Sequence, residues 1–273
     1  MPTLSVLVTV YHKIEPEELS ASLASLAAQT RPAEAVVIVE DGPLGDGLRE
    51  VIDGFLAERP ESRVVRLARN QGSGPASAAG LETITTDLFA RQDADDISNR
   101  ERFERQLRFF EEHPDVDVLG TAAAEFRENT DNVVGVRRLP TGHGEIAGYL
   151  KINNPISHPT MMVRTAAVTE TGGYRAVHHM EDYDLMARLL SHGYRFHNLP
   201  EPLVYFRTSD AQFARRTGKG MFAAERHMQR NLVSYGLISR PRSWVNLMIR
   251  SLYRALPKQL IARVYGTLFH GRK

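Results

Sequence analysis

The first half of the chain alternates short apolar runs with segments of helical periodicity, and this alternation constrains the fold more than any other feature. Four apolar, β-branched runs are predicted strands, at residues 4–10, 35–40, 63–67 and 87–91. Three helices are predicted between them, at residues 17–29, 46–58 and 72–86. Strands separated by helices imply βαβ crossovers. We therefore predict an α/β fold, with a mostly parallel central sheet flanked by helices and a first half of Rossmann-like topology.

The second half is less regular. Helices are predicted at residues 100–112 and 181–191, strands at 116–120, 161–163 and 203–206, and a hairpin between 124–126 and 133–137. From about residue 211 the pattern is helical, with breaks at 236–241 and at Pro257. We predict one domain over residues 1–209, divided into a regular half at 1–98 and a less regular half at 99–209. Residues 210–273 form a helical extension.

Composition excludes several classes of protein. The chain has 273 residues and no cysteine, which rules out disulfides, thiolate metal sites and cysteine nucleophiles. Its start lacks the basic and apolar regions of a signal peptide, and no apolar run approaches the roughly 18 residues that cross a bilayer. The net charge of +1 conceals an asymmetry, because no acidic residue follows Glu225.

Asp93, Asp95 and Asp96 form the most informative cluster. Three carboxylates within four residues repel one another, so they need water or a cation nearby. Mg²⁺ and Mn²⁺ prefer oxygen ligands, which they often share with substrate phosphates. At the carboxyl end of a buried strand such a cluster would face the ligand crevice of an α/β sheet. The alternative is that Asp96 or Ser98 caps the following helix.

Two further clusters follow predicted strands. Glu40 and Asp41 can accept hydrogen bonds from a ribose or a base, although an Asp-Gly turn explains them as well. Residues 69–74, which contain Asn70 and Gly72, combine glycines with a helix start that favours phosphate. This loop is neither a Walker A loop nor a GxGxxG fingerprint.

Two further candidate sites lie later in the chain. Glu181 and Asp182 open a helix, where a carboxylate could take a proton from a hydroxyl, or where acidic residues simply complement the helix dipole. His158 precedes an apolar strand and either contacts substrate or bonds to the backbone.

The C-terminal extension is basic and amphipathic. One predicted stripe contains Trp244, Leu247, Met248 and Leu252, and Arg250 lies off it. Such a helix either lies on a membrane surface or packs its stripe on the catalytic domain with its charges solvated. Nucleic-acid binding is not predicted, because the chain has no recognised motif and its remainder is not basic.

Together, these segments resemble family 2 inverting glycosyltransferases of the GT-A fold, in particular bacterial exopolysaccharide and O-antigen enzymes of the amylovoran-biosynthesis type. The likeness covers roughly residues 3–207. Its matching stretches are SVLVTVYHK (5–13), VVIVEDGP (36–43), NQGSGPASAAGL (70–81), RQDADDISNRERFERQ (91–106), DVDVLG (115–120), HPTMMVR (158–164), GGYR (172–175) and EDYDLMARLLSHGYRFHNLPEPLVYFR (181–207).

The resemblance implies a role for each matching residue. The donor's base, ribose and phosphates would be bound by Thr9, Tyr11, Glu40, Asp41, Asn70, Gly72 and Asp93. Asp95, with Asp93, would ligate Mn²⁺ or Mg²⁺. Asp182 would be the general base, supported by Glu181, with His158 on the acceptor side. Met186, where many relatives have tryptophan, suggests a reshaped acceptor pocket.

The implied reaction is a single displacement from a UDP- or dTDP-sugar to a saccharide hydroxyl, with inversion. Relatives often act on polyprenyl-diphosphate-linked acceptors, so the resemblance implies a cytoplasmic protein that is peripheral at the inner face of the membrane. Two rival hypotheses are a sugar-nucleotidyltransferase and a non-catalytic nucleotide-sugar-binding or scaffold protein. The first would need a glycine-rich basic loop after the first strand, where this chain has Tyr11-His12-Lys13-Ile14-Glu15-Pro16. The second would be favoured by loss of Asp95 or Asp182, and both are present.

Overall fold

A computed structural model describes residues 1–208 and 220–255. The strands are β1 (Leu4–Val10), β2 (Ala35–Glu40), β3 (Arg63–Arg66), β4 (Leu88–Asp93), β5 (Ile97–Ser98), β6 (Val118–Arg127), β7 (Asn129–Arg137), β8 (Met162–Arg164) and β9 (Phe196–Arg207). The helices are α1 (Pro16–Ala27), α2 (Asp46–Glu58), α3 (Ser73–Leu81), α4 (Arg102–Glu112), α5 (His143–Leu150), α6 (Thr165–Glu170), α7 (Glu181–Ser191), α8 (Met221–Ser234) and α9 (Arg240–Ala255), with a 3-10 turn at His158–Thr160.

The strands of the described residues form one mixed sheet in the order β3-β2-β1-β4-β8-β6-β9-β5, with β7 paired to β6. The first half matches the predicted arrangement, because β3, β2, β1 and β4 are all parallel. The second half is not mostly parallel: β8 lies antiparallel between β4 and β6, and only β6 and β9 pair in parallel there. Antiparallel neighbours need no helical crossover, which explains why helix–strand alternation fades in this part of the sequence.

Alternating side chains of β1 enter two cores on opposite faces of the sheet. Val6 and Val8 pack with α1, α2 and α4, whereas Leu7 packs with α3 and with the helices of the second half. Both faces of the parallel strands are therefore covered, as their unbroken apolar sequences require.

The boundaries of several elements differ from the predicted ones. Helix α3 ends at Leu81 rather than near residue 86, and β4 continues to Asp93 rather than stopping at 91. The predicted hairpin is confirmed as β6 and β7, which pair Ala124 with Val136. Met186 is buried in the core, so it does not line an open acceptor pocket as its position suggested.

Asp184 connects α7 to α8. Its carboxylate is fully buried and bonds to Arg188 (Oδ2 to Nε, 2.9 Å), which is also buried. The other oxygen accepts hydrogen bonds from Asn231 Nδ2 at 2.7 Å and from the Tyr235 hydroxyl at 2.8 Å. This residue belongs to the acidic start of α7, but its role is structural.

Helix α9 has two unlike faces. Leu247 and Asn246 are buried against the rest of the protein, whereas one stripe faces solvent. The exposed stripe comprises Trp244, Val245, Met248, Ile249 and Leu252, which are 65%, 47%, 61%, 58% and 67% exposed. The predicted stripe is therefore wrong at Leu247, which packs inward, and residues after 255 lie outside the described part of the chain. Among the described residues no helix has the length and apolarity to cross a bilayer.

Replacing Asp184 by Asn should destabilise the protein by about 3 kcal/mol or more, because it leaves the buried Arg188 guanidinium without its charge partner. Urea unfolding monitored by circular dichroism measures this loss. Asp115→Asn is the control: its ion pair with Arg195 is more than half exposed, so the change should stay within about 0.5 kcal/mol. Equal effects of the two substitutions would contradict the anchoring role of Asp184.

Candidate functional site

The carboxyl ends of β2, β1 and β4 lie side by side and bring three sequence clusters together. In the parallel register Thr9 lies opposite Asp93, and Val10 lies opposite Glu40. The segments that follow these strands therefore open on one edge of the sheet, where α/β folds bind ligands. Tyr11 follows β1 directly and is partly exposed there.

Arg91, near the end of β4, is a buried cation beneath this edge. Its guanidinium donates to the Leu7 carbonyl at 2.8 Å and to the Thr9 hydroxyl at 2.6 Å. The Nη2 atom that donates to Thr9 also lies 3.3 Å from Asp93 Oδ1. Because Arg91 is fixed by backbone and side-chain acceptors, it holds Thr9 and Asp93 in a defined position.

Asp93 and Asp95 present two half-buried carboxylates. Burial, with repulsion from Asp93 as the next cause, raises the pKa of Asp95 to about 6. Two carboxylates this close repel each other, and a positive charge beside them would relieve that repulsion.

Asp96 points away from this pair and is fully buried. Its Oδ1 atom accepts the Arg207 backbone N–H at 2.9 Å, and burial raises its pKa well above the ordinary value. The alternative in which Asp96 or Ser98 caps the next helix is wrong, since α4 begins at Arg102 after Glu101 without a side-chain cap.

A buried polar network supports the Asp93–Asp96 loop from below. Gln92 donates to the Asp96 carbonyl at 2.7 Å and accepts from Arg102 at 2.9 Å. Arg102 also donates to the Arg91 carbonyl at 2.9 Å. Burial lowers the Arg102 pKa to about 9, although the Asp96 and Asp93 charges favour its charged form. The loop is thus fixed on the side that faces the core.

Asp41 organises the adjacent loop instead of projecting freely into the crevice. Its two carboxylate oxygens accept the backbone N–H groups of Gln71 and Gly72, at 2.7 and 2.9 Å. Asn70 Nδ2 donates to the Asp41 carbonyl at 3.1 Å. Gly42 permits this close approach: its φ is +87°, and a Cβ there would lie 2.5 Å from Asn70 N.

Glu40 is buried and directed towards the edge of the sheet. Its Oε1 atom lies 3.0 Å from Arg66 Nε at the end of β3. The structure therefore places Glu40 and Asp41 beside the crevice, each with a protein partner.

Glu181 and Asp182 open α7 and lie close to the end of β4, because the Arg91 charge acts on Glu181 and the Asp93 charge acts on Asp182. The Ser73 side chain, at the start of α3, bonds to Glu181, so the loop after β3 contacts the acidic pair. Burial raises the pKa of Glu181 to about 7, with Asp182 as the second cause. Asp182 accepts hydrogen bonds from Tyr183 N at 2.7 Å and from Asn154 Nδ2 at 2.8 Å. Burial raises its pKa despite both bonds, and the Asp93 charge adds to that increase.

His158 bonds to a side chain, not to the backbone. Its Nε2 atom lies 2.9 Å from the Tyr174 hydroxyl, and burial, followed by the Arg91 charge, lowers its pKa well below the usual value. His158 is therefore neutral at physiological pH. The Arg91 charge acts on His158, Tyr174 and Glu181, so these three side chains lie near the same cation.

Asp93 and Asp95 have the donor chemistry of a Mg²⁺ or Mn²⁺ site, which is hard carboxylate oxygen. Among residues 1–208 and 220–255, no group of three or more His, Asp or Glu side chains could hold a metal ion. Two carboxylates fit a cation that completes its shell with water and a ligand's phosphates, and they do not fit a closed structural site.

Sequence reasoning missed Arg91, Asn154 and Tyr174. Arg91 gave a weak signal, as a charged residue at the end of a buried strand. Asn154 and Tyr174 gave none, because they lie in irregular segments and reach the site only through tertiary packing.

The model named "Glycosyl transferase family 2" matches residues 5–172, and "Glycosyl transferase family group 2" matches 92–270. The chain belongs to glycosyl transferase family 2. It is therefore a glycosyltransferase.

Two relatives match over nearly their whole length. The chain is 33% identical to the amylovoran biosynthesis glycosyltransferase AmsE of Erwinia amylovora, over 96% of this chain and 97% of that protein. It is 30% identical to an Escherichia coli UDP-Gal:alpha-D-GlcNAc-diphosphoundecaprenol beta-1,3-galactosyltransferase, over 97% and 95% of the two chains.

Solved structures share the GT-A-type fold. Staphylococcus aureus TarS 1–349 in complex with UDP-GlcNAc aligns with a TM-score of 0.67 at 19% identity, over 92% of this chain and 72% of that one. The mannosyltransferase PcManGT of Pyrobaculum calidifontis, in complex with GDP-Man and Mn²⁺, aligns at 0.61 and 15% identity, over 98% and 80%.

The raised pKa of Glu181 predicts a pH-dependent stability. Between the ordinary value of 4.5 and about 7 the folded state binds more protons than the unfolded chain, so the free energy of unfolding falls as pH rises through this window. Glu181→Gln should remove the contribution of Glu181 and make the decline shallower, while the raised pKa values of Asp95 and Asp182 keep part of it, as measured by urea unfolding at both ends of the window. Glu50→Gln, an exposed control on α2, should leave it unchanged. A wild-type curve parallel to that of Glu181→Gln would contradict the prediction.

Proposed function

We propose that this glycosyltransferase moves a sugar from a nucleoside diphosphate sugar, such as a UDP- or dTDP-sugar, to a hydroxyl of a saccharide acceptor, with inversion. The observation that carries the proposal is that two carboxylate pairs lie close enough to interact, since the Asp93 charge acts on Asp182. Asp93 and Asp95 suit a divalent cation with a diphosphate, and Glu181 and Asp182 suit proton transfer.

The donor end would be formed by the segments at the ends of β1, β2 and β4. Thr9, Tyr11 and Asp93 would line it from the sheet side, and Asn70 and Gly72 from the facing loop. Glu40 and Asp41 would support this surface, because their carboxylates already bond to Arg66 and to the loop backbone. A Mn²⁺ or Mg²⁺ ion held by Asp95 and Asp93 would neutralise charge on the departing diphosphate.

Asp182 is the proposed general base. Burial raises its pKa above the ordinary value, which increases its strength as a proton acceptor. It would take the proton of the acceptor hydroxyl as that oxygen bonds to the anomeric carbon. The bond from that carbon to the diphosphate oxygen breaks, and its electron pair leaves with the nucleoside diphosphate. Attack opposite the leaving group inverts the configuration.

Glu181 and His158 would complete the acceptor side. Glu181, with a pKa of about 7, is partly protonated near neutrality and can donate as well as accept a hydrogen bond. Neutral His158, bonded to Tyr174, offers a polar ring without adding charge.

The acceptor is proposed to be a saccharide on a polyprenyl diphosphate, in surface polysaccharide synthesis. The names of AmsE and of the E. coli galactosyltransferase support this assignment, since amylovoran and a diphosphoundecaprenol acceptor appear in them. The protein would then work at the inner face of the cytoplasmic membrane.

Two substitutions separate the two ends of the site. Asp95→Asn should weaken binding of UDP in the presence of Mn²⁺, measured by calorimetry, because it removes one charge from the cation site. Asp182→Asn should leave that binding intact and lower kcat by about 10²–10⁴-fold, because it removes the base. Turnover is measured with a panel of nucleotide sugars and a lipid-diphosphate-linked saccharide. A protein that binds UDP with Mn²⁺ but never transfers or hydrolyses a donor would instead be a nucleotide-sugar-binding protein.

Helix α9 supports the membrane assignment. Its exposed apolar stripe is unusual for a soluble surface. Beside it, a groove of about 550 Å³ between α8 and α9 is lined in part by Arg226, Arg230, Arg240 and Trp244. None of these three arginines forms an ion pair with another described residue. Because no acidic residue follows Glu225, this surface is complementary to an anionic bilayer.

Combined replacement of Trp244, Met248 and Leu252 by Ser should abolish co-sedimentation with phosphatidylglycerol-containing vesicles. The wild type should sediment with these vesicles and much less with pure phosphatidylcholine. Val134→Ser, at an apolar residue of β7 with similar partial exposure, is the control. If the triple variant sediments like the wild type, or if it abolishes self-association instead, the stripe is not a membrane surface.

A further inference from the structure

The inner face of α9 holds the loop that follows α5. Asn246 Nδ2 donates to the Lys151 carbonyl at 2.8 Å. Arg250 Nη1 donates to the Ile152 carbonyl at 2.8 Å and to Asn153 Oδ1 at 3.2 Å. These contacts join segments more than ninety residues apart in sequence. They fix three consecutive residues of a loop that has no regular secondary structure of its own.

Both side chains on α9 are themselves held by α8. Arg250 Nη2 lies 2.6 Å from Glu225 Oε1, and the Glu225 side chain is fully buried. Asn246 Nδ2 lies 3.1 Å from Gln229 Oε1. Arg250 is therefore not a solvated charge of a basic tail, as its position off the apolar stripe suggested. It belongs to a buried ion pair between the two helices.

The next residue of the held loop contacts the proposed base. Asn154 Nδ2 donates to Asp182 Oδ2 at 2.8 Å, and Asn154 Oδ1 accepts from Ile156 N at 3.2 Å. The second bond fixes the amide so that its NH₂ group faces the carboxylate. The other oxygen of Asp182 accepts Tyr183 N, so the plane of the carboxylate is defined by a bond at each oxygen.

We propose that Asn154 is a positioning residue for Asp182, and that α9 keeps it in place through Asn246 and Arg250. This inference rests on the proposed role of Asp182 as general base. A carboxylate that is free to rotate would meet the acceptor hydroxyl in many orientations. With one lone pair of each oxygen already used, the remaining lone pairs point in fixed directions. The C-terminal helical pair is then part of the catalytic architecture.

Asn154→Ala tests the first contact. It should lower kcat about tenfold, the equivalent of one hydrogen bond to a charged group. The affinity for UDP with Mn²⁺ should not change, because that end of the crevice is not touched. A loss of affinity and kcat together would indicate general damage to the fold and would contradict a positioning role.

The contact at a distance is tested by a double-mutant cycle between Asn246→Leu and Asn154→Ala. If Asn246 acts through Asn154, Asn246→Leu lowers kcat in the wild type and has no further effect once Asn154 is Ala. Independent effects that multiply would overturn the proposed relay from Asn246 through Asn154 to Asp182. A wild-type kcat in the Asn246→Leu variant would overturn it as well.

The role of Arg250 must be tested without leaving the buried Glu225 charge next to a removed partner, because that would destabilise the fold. Arg250→Met combined with Glu225→Gln removes both charges and the donor to the loop, and should lower kcat as Asn246→Leu does. Arg250→Lys retains the charge and one donor, and should recover part of the loss. Arg49→Met, at an exposed arginine of α2 far from both surfaces in sequence, is the control and should retain full activity.

Asp182→Asn distinguishes failure of this inference from failure of the proposed function. If Asp182→Asn retains wild-type kcat, the base assignment fails, and the relay fails with it. If Asp182→Asn is inactive while Asn154→Ala and Asn246→Leu have wild-type kcat, the proposed function stands and the relay is wrong.

Discussion

The carboxylates of the proposed site are partly buried and repel one another, and the residues around them must hold them together against that repulsion. Asp93, Asp95, Glu181 and Asp182 come from two distant segments, and burial raises the pKa of the last three. A fold brings such groups together only if other interactions hold them in place. The buried Arg91, fixed by the Leu7 carbonyl and the Thr9 hydroxyl, supplies the positive charge nearest to Asp93. The divalent cation of the proposed function would relieve this repulsion further.

The two halves of the chain contribute differently to this crevice. The parallel strands carry their functional residues at fixed register positions, so Thr9 and Asp93 are neighbours by sheet geometry alone. On the acceptor side the geometry depends on loops and on the ends of helices. There, α7 begins with Glu181 and Asp182, and buried Asp184 fastens the same helix to α8. Helix α9 then closes on the loop before Asn154 while it presents apolar side chains outward. One helix thus contacts the loop that leads to Asn154 and also carries the proposed membrane surface.

Much of the fold and part of the site could be predicted from the sequence. Buried parallel strands have unmistakable runs such as 35–40, and their carboxyl ends mark a ligand edge whatever the ligand. The antiparallel half was harder, because Met162–Arg164 is too short to give a period and β9 contains two prolines, at 200 and 202. The hydrogen-bond partners of site residues could not be predicted. Nothing in the Glu40-Asp41-Gly42 motif indicates that Asp41 bonds to the backbone of residues 71 and 72.

The sequence by itself determined the fold class, the family and the set of acidic residues available for chemistry, because local periodicity and residue type are properties of the chain. Tertiary packing determines which of these acidic residues face the proposed site and which have structural roles. Asp96 is buried against Arg207 while Asp95 remains at the crevice, and Asp184 is structural while Asp182, two residues earlier, faces the site. It also decided that Arg250 joins a buried ion pair. These distinctions depend on burial and on partners far away in sequence, and both arise only when the chain is packed.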